Sequence, residues 1–594
     1  MTNPGAEYER RLASWRGRIA AFDRTHFLIS NIRLALAGAG AVLLWMAFVR
    51  ASASGWWPVA AWLLFGVVAV VHARLLQRSE RAKRAEAVYL RGLDRLSGRW
   101  PGTGRDGARF LEGHLYARDL DLFGRASLYE LLNTTRTDAG EATLADWLRQ
   151  GAAVPEVIAR QGAVDELRTK LDLREDVAVL AAESPVGRTG LLASWAAAAP
   201  ANFPPALGIA LAAFAAITVT LSFAGYEGAV ASGWVVAWVA VTQGIAALWH
   251  RPFHRVLHAI ETPERDLALL TDLLARVERE LFTSPRLTAL RQALMTDRMP
   301  PSRRIAQLRS LVSWLDSTHN LMFAPFAQLL LVRPQIAVAI DRWHRRHGAA
   351  VGDWLRVVGE LEALAALGTY AYERPADPFP ELVEGDPLFD ADGIRHPLLN
   401  DDTSVPNDVR LGGPDAPHVI VVSGSNMSGK STLLRSVGVN VVLALAGGPV
   451  RAIRLRLSPF VLGATLRIDD SLQEGHSRFY AEILRIRTIV DATRGPVPLL
   501  FLLDEILHGT NSHDRRIGAE AIVRALVGKG AIGLVTTHDL ALTELTSTLG
   551  LSASNMHFED RLENGLMVFD YRMRPGVVEH SNALALMRAI GLDV

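Results

Sequence analysis

Val419-Ile420-Val421-Val422-Ser423-Gly424-Ser425-Asn426-Met427-Ser428-Gly429-Lys430-Ser431-Thr432 decides how the C-terminal third of this chain is read. The run Val419 to Val422 is apolar and β-branched throughout, which predicts a strand buried on both faces. It feeds Gly424 to Ser431, a fit to G-x-x-x-x-G-K-[S/T], and a helical pattern follows from Thr432. Strand before and helix after are the context this phosphate-binding loop requires. Glycines let backbone N–H groups wrap phosphate oxygens, and the helix N-terminus adds partial positive charge. Gly424, Ser425, Asn426, Met427, Ser428, Gly429, Lys430, Ser431 and Thr432 are therefore the expected ATP-binding residues. Within them Lys430 is to contact the β and γ phosphates, and Ser431 is to ligate Mg²⁺.

Two further strands support this reading. Leu499-Leu500-Phe501-Leu502-Leu503 ends in Asp504-Glu505, a Walker B pattern. Asp504 is placed to hold the Mg²⁺ shell, and Glu505 to orient or deprotonate the attacking water. Taken alone, the acidic pair would also fit a helix start; the loop upstream decides between them. A third strand, Ala531 to Val535, ends in Thr536-Thr537-His538-Asp539. His538 at that point is expected to sense the γ-phosphate, whereas a lone histidine is ordinarily structural.

Upstream of this region the pattern is different. The chain has 594 residues, room for several domains. Lys+Arg number 63 against Asp+Glu 62, a net charge of +1, so charge alone neither demands nor excludes a nucleic-acid partner. With no cysteine, disulfides, thiol nucleophiles and cysteine-ligated zinc are excluded. The mean hydropathy of +0.16 is high, and the excess is concentrated. Four stretches without charge run from about Leu34 to Val49, Ala51 to Ala73, Ala206 to Tyr226 and Gly228 to Trp249. Each approaches the length of a membrane span, and they come in pairs. Trp56, Trp57 and Trp249 stand where interfacial anchors would. The first begins too late for a cleaved signal peptide and is followed at once by a second. Arg10, Arg11, Arg16, Arg18 and Arg24 precede the first hairpin, and Arg74, Arg78, Arg81, Lys83 and Arg84 follow it. Arg251 and Arg255 follow the second. The positive-inside rule then puts the ends of both hairpins in the cytoplasm. The expectation is a multi-pass protein of the cell (inner) membrane with cytoplasmic soluble domains.

Apolar residues at helical spacing, such as Leu128/Leu131/Leu132 and Leu267/Leu270/Leu273/Leu274, predict a helical body around the second hairpin. The charges around the second set, such as Arg265, Arg276, Glu278 and Glu280, read as a solvated helix face. Pro375, Pro378 and Pro380 mark a linker before the α/β pattern begins. The predicted architecture is multidomain. Residues 1–100 are a basic helix and the first transmembrane hairpin. Residues 101–200 and 256–382 are the two parts of a helical core or lever, with the second hairpin at 201–255 between them. Residues 383–594 are an α/β P-loop NTPase domain of ABC-like type.

Within this frame the motifs resemble the MutS family of DNA mismatch-repair ATPases. Ser425 to Thr432, with Asn426-Met427 inside the loop, is similar to the family's P-loop. Arg395-His396-Pro397-Leu398-Leu399 and Val405-Pro406-Asn407-Asp408 resemble its entry into the ATPase domain, and Asp504-Glu505-Ile506 with Gly509-Thr510 its signature after Walker B. Thr537-His538 resembles its Thr-His. Ser477, Phe479 and Glu482 resemble its Ser-Thr-Phe-x-x-Glu segment, which implies that Ser477 reaches the ATP of an opposite subunit. Asp119-Leu120-Asp121-Leu122-Phe123-Gly124 and Leu131 to Thr137 look like the start of the family's helical core. The resemblance implies a homodimer of ATPase heads using ATP and Mg²⁺, with DNA as a partner.

The departures are specific. No Phe-x-Glu mismatch-reading domain precedes the core, and residues 1–100 read as a membrane hairpin instead. The second hairpin falls near where the family inserts its DNA clamp. Arg-Gly-Thr is His508-Gly509-Thr510 here, and the aromatic before Pro-Asn is replaced by Ser404. Two functions are therefore expected to compete: a membrane-anchored, ATP-driven DNA-binding switch, and a membrane-tethered signalling or remodelling ATPase that no longer binds DNA. A transporter of the ABC type is disfavoured, because Ile483 to Pro498 contains no Leu-Ser-Gly-Gly-like signature.

Overall fold

The computed structural model describes residues 3–50, 54–182, 189–261, 264–295, 299–320, 323–467, 478–507, 510–563 and 566–578. Helix α1 (Pro4–Phe48) starts at Asn3, whose side chain accepts from the Gly5 N–H at 2.9 Å, with proline in the first turn. The basic helix and the first apolar stretch are thus one continuous helix. Helix α2 (Trp56–Leu96) packs along it and carries the second apolar stretch. The most apolar 18-residue windows of α1 and α2 have mean hydropathies of 1.8 and 2.1, yet only 6% of each is buried.

The helical body contains α3 (Leu128–Leu132), α4 (Asp138–Arg149), α5 (Val154–Thr169), α6 (Leu171–Ala181) and α7 (Thr189–Ala197). The second pair follows as α8 (Pro205–Tyr226) and α9 (Ser232–Leu248). The fourth stretch departs from expectation: α9 has 17 residues and bends by 68° into α10 (His250–Glu261). Pro252 explains the break, since it has no N–H to donate to the Leu248 carbonyl four residues back. By length and composition, three helices are long and apolar enough to cross a membrane, or up to four if the bent pair is one span. The body is completed by α11 (Glu264–Arg279), α12 (Pro285–Leu294), α13 (Pro301–Ser317), α14 (Ala324–Leu329) and α15 (Val332–Glu373). Helix α15 has 42 residues, and α4, α5, α7, α10 and α13 pack against it, which makes it the spine of the body.

The C-terminal part is α/β. A four-stranded sheet has the order β1 (Glu381–Leu382), β5 (Arg454–Leu457), β2 (Leu388–Ile394), β3 (Asn407–Gly412). The larger sheet has six strands: β4 (Val419–Ser423), β6 (Val461–Thr465), β7 (Leu499–Asp504), β8 (Ile532–Thr537), β9 (Ala553–Glu563) and β10 (Leu566–Pro575). Their order is β10-β9-β4-β8-β7-β6, with only β10 antiparallel. All five residues of β4 are buried, as its sequence predicts. Helices α16 (Lys430–Ala446), α17 (Arg478–Ala492), α18 (Ser512–Val527) and the short α19 (Leu545–Leu549) connect the strands. Parallel pairing brings the carboxyl ends of β4, β7 and β8 to one edge, where open α/β sheets bind ligands. In that register Ser423 faces Thr537 and Asp504 faces Thr536.

The proline-rich joint before the sheet is docked rather than free. Arg451 Nη1 lies 2.8 Å from Asp377 Oδ1, both side chains being buried. The Val450 N–H donates to the Pro378 carbonyl at 2.9 Å, and Gln161 to the Pro380 carbonyl at 3.0 Å. A second joint is Asp119. Fully buried, its Oδ1 accepts the N–H groups of Leu466 at 2.7 Å and Arg467 at 2.9 Å, and its Oδ2 pairs with Arg485.

Candidate functional site

The loop after β4 is built by two glycines. Gly424 (φ 152°) and Gly429 (φ 107°) both have positive φ. A Cβ on Gly424 would lie 2.9 Å from Ser428 Oγ and 3.1 Å from the Phe558 carbonyl; one on Gly429 would lie 3.2 Å from the Tyr571 ring. The conformation therefore admits no side chain at Gly424 without displacement. Lys430, the first residue of α16, is buried, and its Nζ donates to the carbonyls of Gly424 and Ser425 at 2.8 Å each. The loop thus holds the ammonium from below. Burial lowers the Lys430 pKa, opposed by Glu505, Asp504 and Asp560. Ser425 Oγ and Ser428 Oγ are buried and have no hydrogen-bond partner among the described residues. Two orphan hydroxyls, a clamped lysine and a helix N-terminus suit a phosphate chain. Met427, with φ of 68°, is exposed at the loop tip.

At the end of β7, Thr536 on the neighbouring strand holds both acidic residues. Its hydroxyl donates to Asp504 Oδ1, and the Glu505 N–H donates to the Thr536 carbonyl at 3.2 Å and hydroxyl at 3.1 Å. Glu505 sits at φ 48°, a strained conformation for a non-glycine residue and one that these two bonds lock. His538 Nδ1 lies 3.4 Å from Glu505 Oε1, so the two expected catalytic residues meet. Glu482 on α17 is buried and accepts the Leu507 N–H at 2.6 Å, fixing the turn that follows Glu505.

A cleft of about 710 Å³ joins Lys430, Ser431, Thr432 and Glu505 to the segment between β2 and β3. This volume suits a nucleotide-sized ligand. Asp504 does not line the cleft, yet it acts on the Lys430 charge. Ser431 and Asp504 are the oxygen donors suited to a Mg²⁺ ion, a hard cation that keeps part of its water shell. Ser477, His508 and Gly509 lie outside the described residues.

Three features escaped sequence reasoning. Thr536 was visible only as a strand residue. His396 lines the cleft and is buried, and that burial holds its pKa down at about 4. Tyr571 puts an aromatic ring in the cleft wall at a register shift in β10. Asn407 pins it there, donating to the Tyr571 carbonyl at 3.0 Å and accepting the Met573 N–H at 2.7 Å. The alternating pattern of β10 gives no sign of that irregularity; the Pro406-Asn407 motif was the available signal.

Comparison with known proteins agrees with the C-terminal half of this reading. The family described as MutS domain V matches residues 420–593. The protein named DNA mismatch repair protein MutS from Natronomonas pharaonis is 32% identical over 269 residues, which is 44% of this chain and 29% of that protein. Its namesake from Thermus aquaticus is 34% identical over 257 residues, 42% and 29% respectively. That from Aquifex pyrophilus is 34% identical over 251 residues, 41% and 28%. The chain therefore spans under a third of the length of these relatives.

Proposed function

The chain is a MutS-family protein through its C-terminal part, and on that premise we propose that it is a membrane-anchored, Mg²⁺-dependent ATPase acting as an ATP-driven DNA-binding switch. The observation that carries the ATPase reading is the convergence of Lys430, Ser431 and Glu505 on one cleft, with His538 in contact with Glu505. Lys430 and the N–H groups of Gly424 to Thr432 bind and orient the triphosphate. Glu505 takes a proton from the attacking water, and His538 steadies the Glu505 carboxylate and faces the γ-phosphate side. Ser431 and Asp504 would hold Mg²⁺, which supplies charge neutralisation at the phosphates when bound. Tyr571, whose ring stands against Gly429, and His396 line the same cleft and would contact the bound nucleotide.

The two ATPase heads act as a homodimer in this proposal, with Ser477 completing the partner's site. The poorly buried apolar helices α1, α2 and α8 support membrane anchoring, and the arginine asymmetry supports cytoplasmic soluble domains. The buried Asp119 joint offers a route from the sheet edge to the helical body.

Two observations favour a second reading, a signalling or remodelling ATPase without DNA. The N-terminal hairpin stands where the family resemblance implies a mismatch reader, and the net charge is only +1. Detergent-solubilised protein should hydrolyse ATP and bind perfect, mismatched or branched duplexes in an ATP-dependent, salt-dependent way. Hydrolysis with no DNA affinity at any salt would select the second reading; absence of hydrolysis under all conditions would remove both.

A further inference from the structure

A cavity of about 250 Å³ lies where α2, α6 and α15 meet the start of the helical core, far from the nucleotide cleft in sequence and lined by different residues. Arg91, Arg95, Arg105, Arg136 and Arg174 all line it. Two of them are neutralised: Arg95 pairs with the buried Glu373, and Arg105 with Glu141. The other three have no carboxylate ion pair among the described residues. Among the described residues Arg91 donates to the Ala87 carbonyl, while Arg174 donates to Thr369 and the Arg168 carbonyl, lies 4.9 Å over the Tyr372 ring and feels the Glu373 charge. Arg136 has a buried Nε without any partner among the described residues, as have Arg105 Nη2 and Arg174 Nε.

Three carboxylates also line the cavity, each with hydrogen-bond partners of its own, and Glu362 also acts on the charges of Arg136 and Arg105. Glu130 accepts the N–H groups of Gly104 and Ala126. Glu175 is bound by Tyr89 and Arg11. Glu362 accepts from the backbone of Arg136 and Thr137 and from the Thr137 hydroxyl, and its burial pushes its pKa up to about 7. Five arginines against three carboxylates leave the lining itself with an excess of positive charge. Burial, and then the mutual repulsion with Arg136, Arg95 and Arg105, lowers the Arg91 pKa to about 10. Converging arginines that outnumber the carboxylates around them are costly unless an anion joins them.

We propose that this cavity is a binding site for a small phosphorylated organic molecule, held by the guanidinium forks of Arg91 and Arg136. Guanidinium groups match phosphate oxygens in pairs, and Trp100, Leu171 and Val177 supply apolar wall for the organic part. Exposed Thr103 and Gly104 form the solvent-facing lining, and the volume excludes a polynucleotide. A lipid headgroup is not the source. At 1.5 Å per residue, Arg91 lies about 27 Å along α2 beyond Ala73, the end of the apolar stretch. Because Arg95 and Tyr8 both bond to Glu373 at the end of α15, the ligand would sit at the joint between the first hairpin and the spine that leads into the sheets.

The test uses full-length protein in detergent carrying Lys430→Ala, so that the nucleotide loop is disabled. Equilibrium dialysis with radiolabelled inorganic pyrophosphate is expected to detect one site. Adding Arg91→Gln and Arg136→Gln should weaken it about tenfold or more, whereas exposed Arg356→Gln should leave it unchanged. Removing uncompensated cations should not lower the ligand-free unfolding temperature; should the double variant nevertheless unfold, Arg91→Lys, which keeps the charge but loses the fork, is read in its place. Equal affinity in the cavity variant and the Lys430→Ala parent overturns the site. Displacement of pyrophosphate by phosphatidylglycerol-containing vesicles, but not by phosphatidylcholine vesicles, overturns the soluble source in favour of a headgroup.

Discussion

Strand β4 and the first half of α2 are similar in composition and opposite in fate. Val419 to Val422 are all buried between β8 and β9, whereas the apolar window of α2 is only 6% buried. The strand meets its hydrophobic demand inside the protein; the helix leaves Leu63, Leu64, Val67 and Val70 exposed. Contiguous exposed apolar surface of this extent calls for another medium, which is the physical basis of the proposed membrane anchoring. The lesson is that hydropathy says that a segment must avoid water, and only packing says what shields it.

The largest expected effect tests the strand side of this contrast. Lys430→Ala should abolish tight ATP binding. Glu505→Gln should bind ATP but release phosphate about 10²–10⁴-fold more slowly, the usual contribution of a general base. Equal single-turnover rates in Glu505→Gln and the parent would remove Glu505 as the base. Next in size is the joint that ties the sheet to the helical body. Asp119→Ala leaves Arg485 and two backbone N–H groups without their acceptor, at a cost of about 3–5 kcal/mol. Chemical denaturation reads this directly, and a cost near zero would mean the regions are held together elsewhere.

On the helix side, Leu64→Arg places a charge in the middle of the exposed window, which costs about 2.5–3.5 kcal/mol if that window is in lipid. Alkaline extraction of membranes should release more of this variant than of the parent. Unchanged partitioning would return α2 to the aqueous side. The smallest effect concerns the cleft wall. The unfolded histidine takes up a proton below about pH 6.5, but folded His396 only near 4, so stability falls as pH drops through that window. The difference amounts to about 2 kcal/mol between pH 7 and pH 5. His396→Gln should lack that component when the two unfolding curves are compared; identical pH dependence would place the His396 ring in solvent.

Several elements were legible before any tertiary contact was known: the buried β4, the loop to α16, and the Asp504-Glu505 strand end. Each is written in consecutive residues, where local pattern and local chemistry coincide. The bend at the end of the fourth apolar stretch was not legible, because Pro252 interrupts the helix just past Leu248 and apolarity alone does not report it. How the linker docks was not legible, because Asp377 finds its arginine 74 residues later.

By itself, the sequence determined the chemistry on offer: a glycine-rich loop ending in a lysine, an acidic strand end, a histidine after the third strand, and segments rich in apolar residues. Tertiary structure alone decided the pairings. Parallel register set Thr536 against Asp504 and Glu505, a register shift in β10 turned Tyr571 into the cleft, and the meeting of α2, α6 and α15 gathered arginines from distant parts of the chain. Such sites are made by through-space proximity, whose energies depend on burial and distance, and neither is a property of neighbouring residues in a chain.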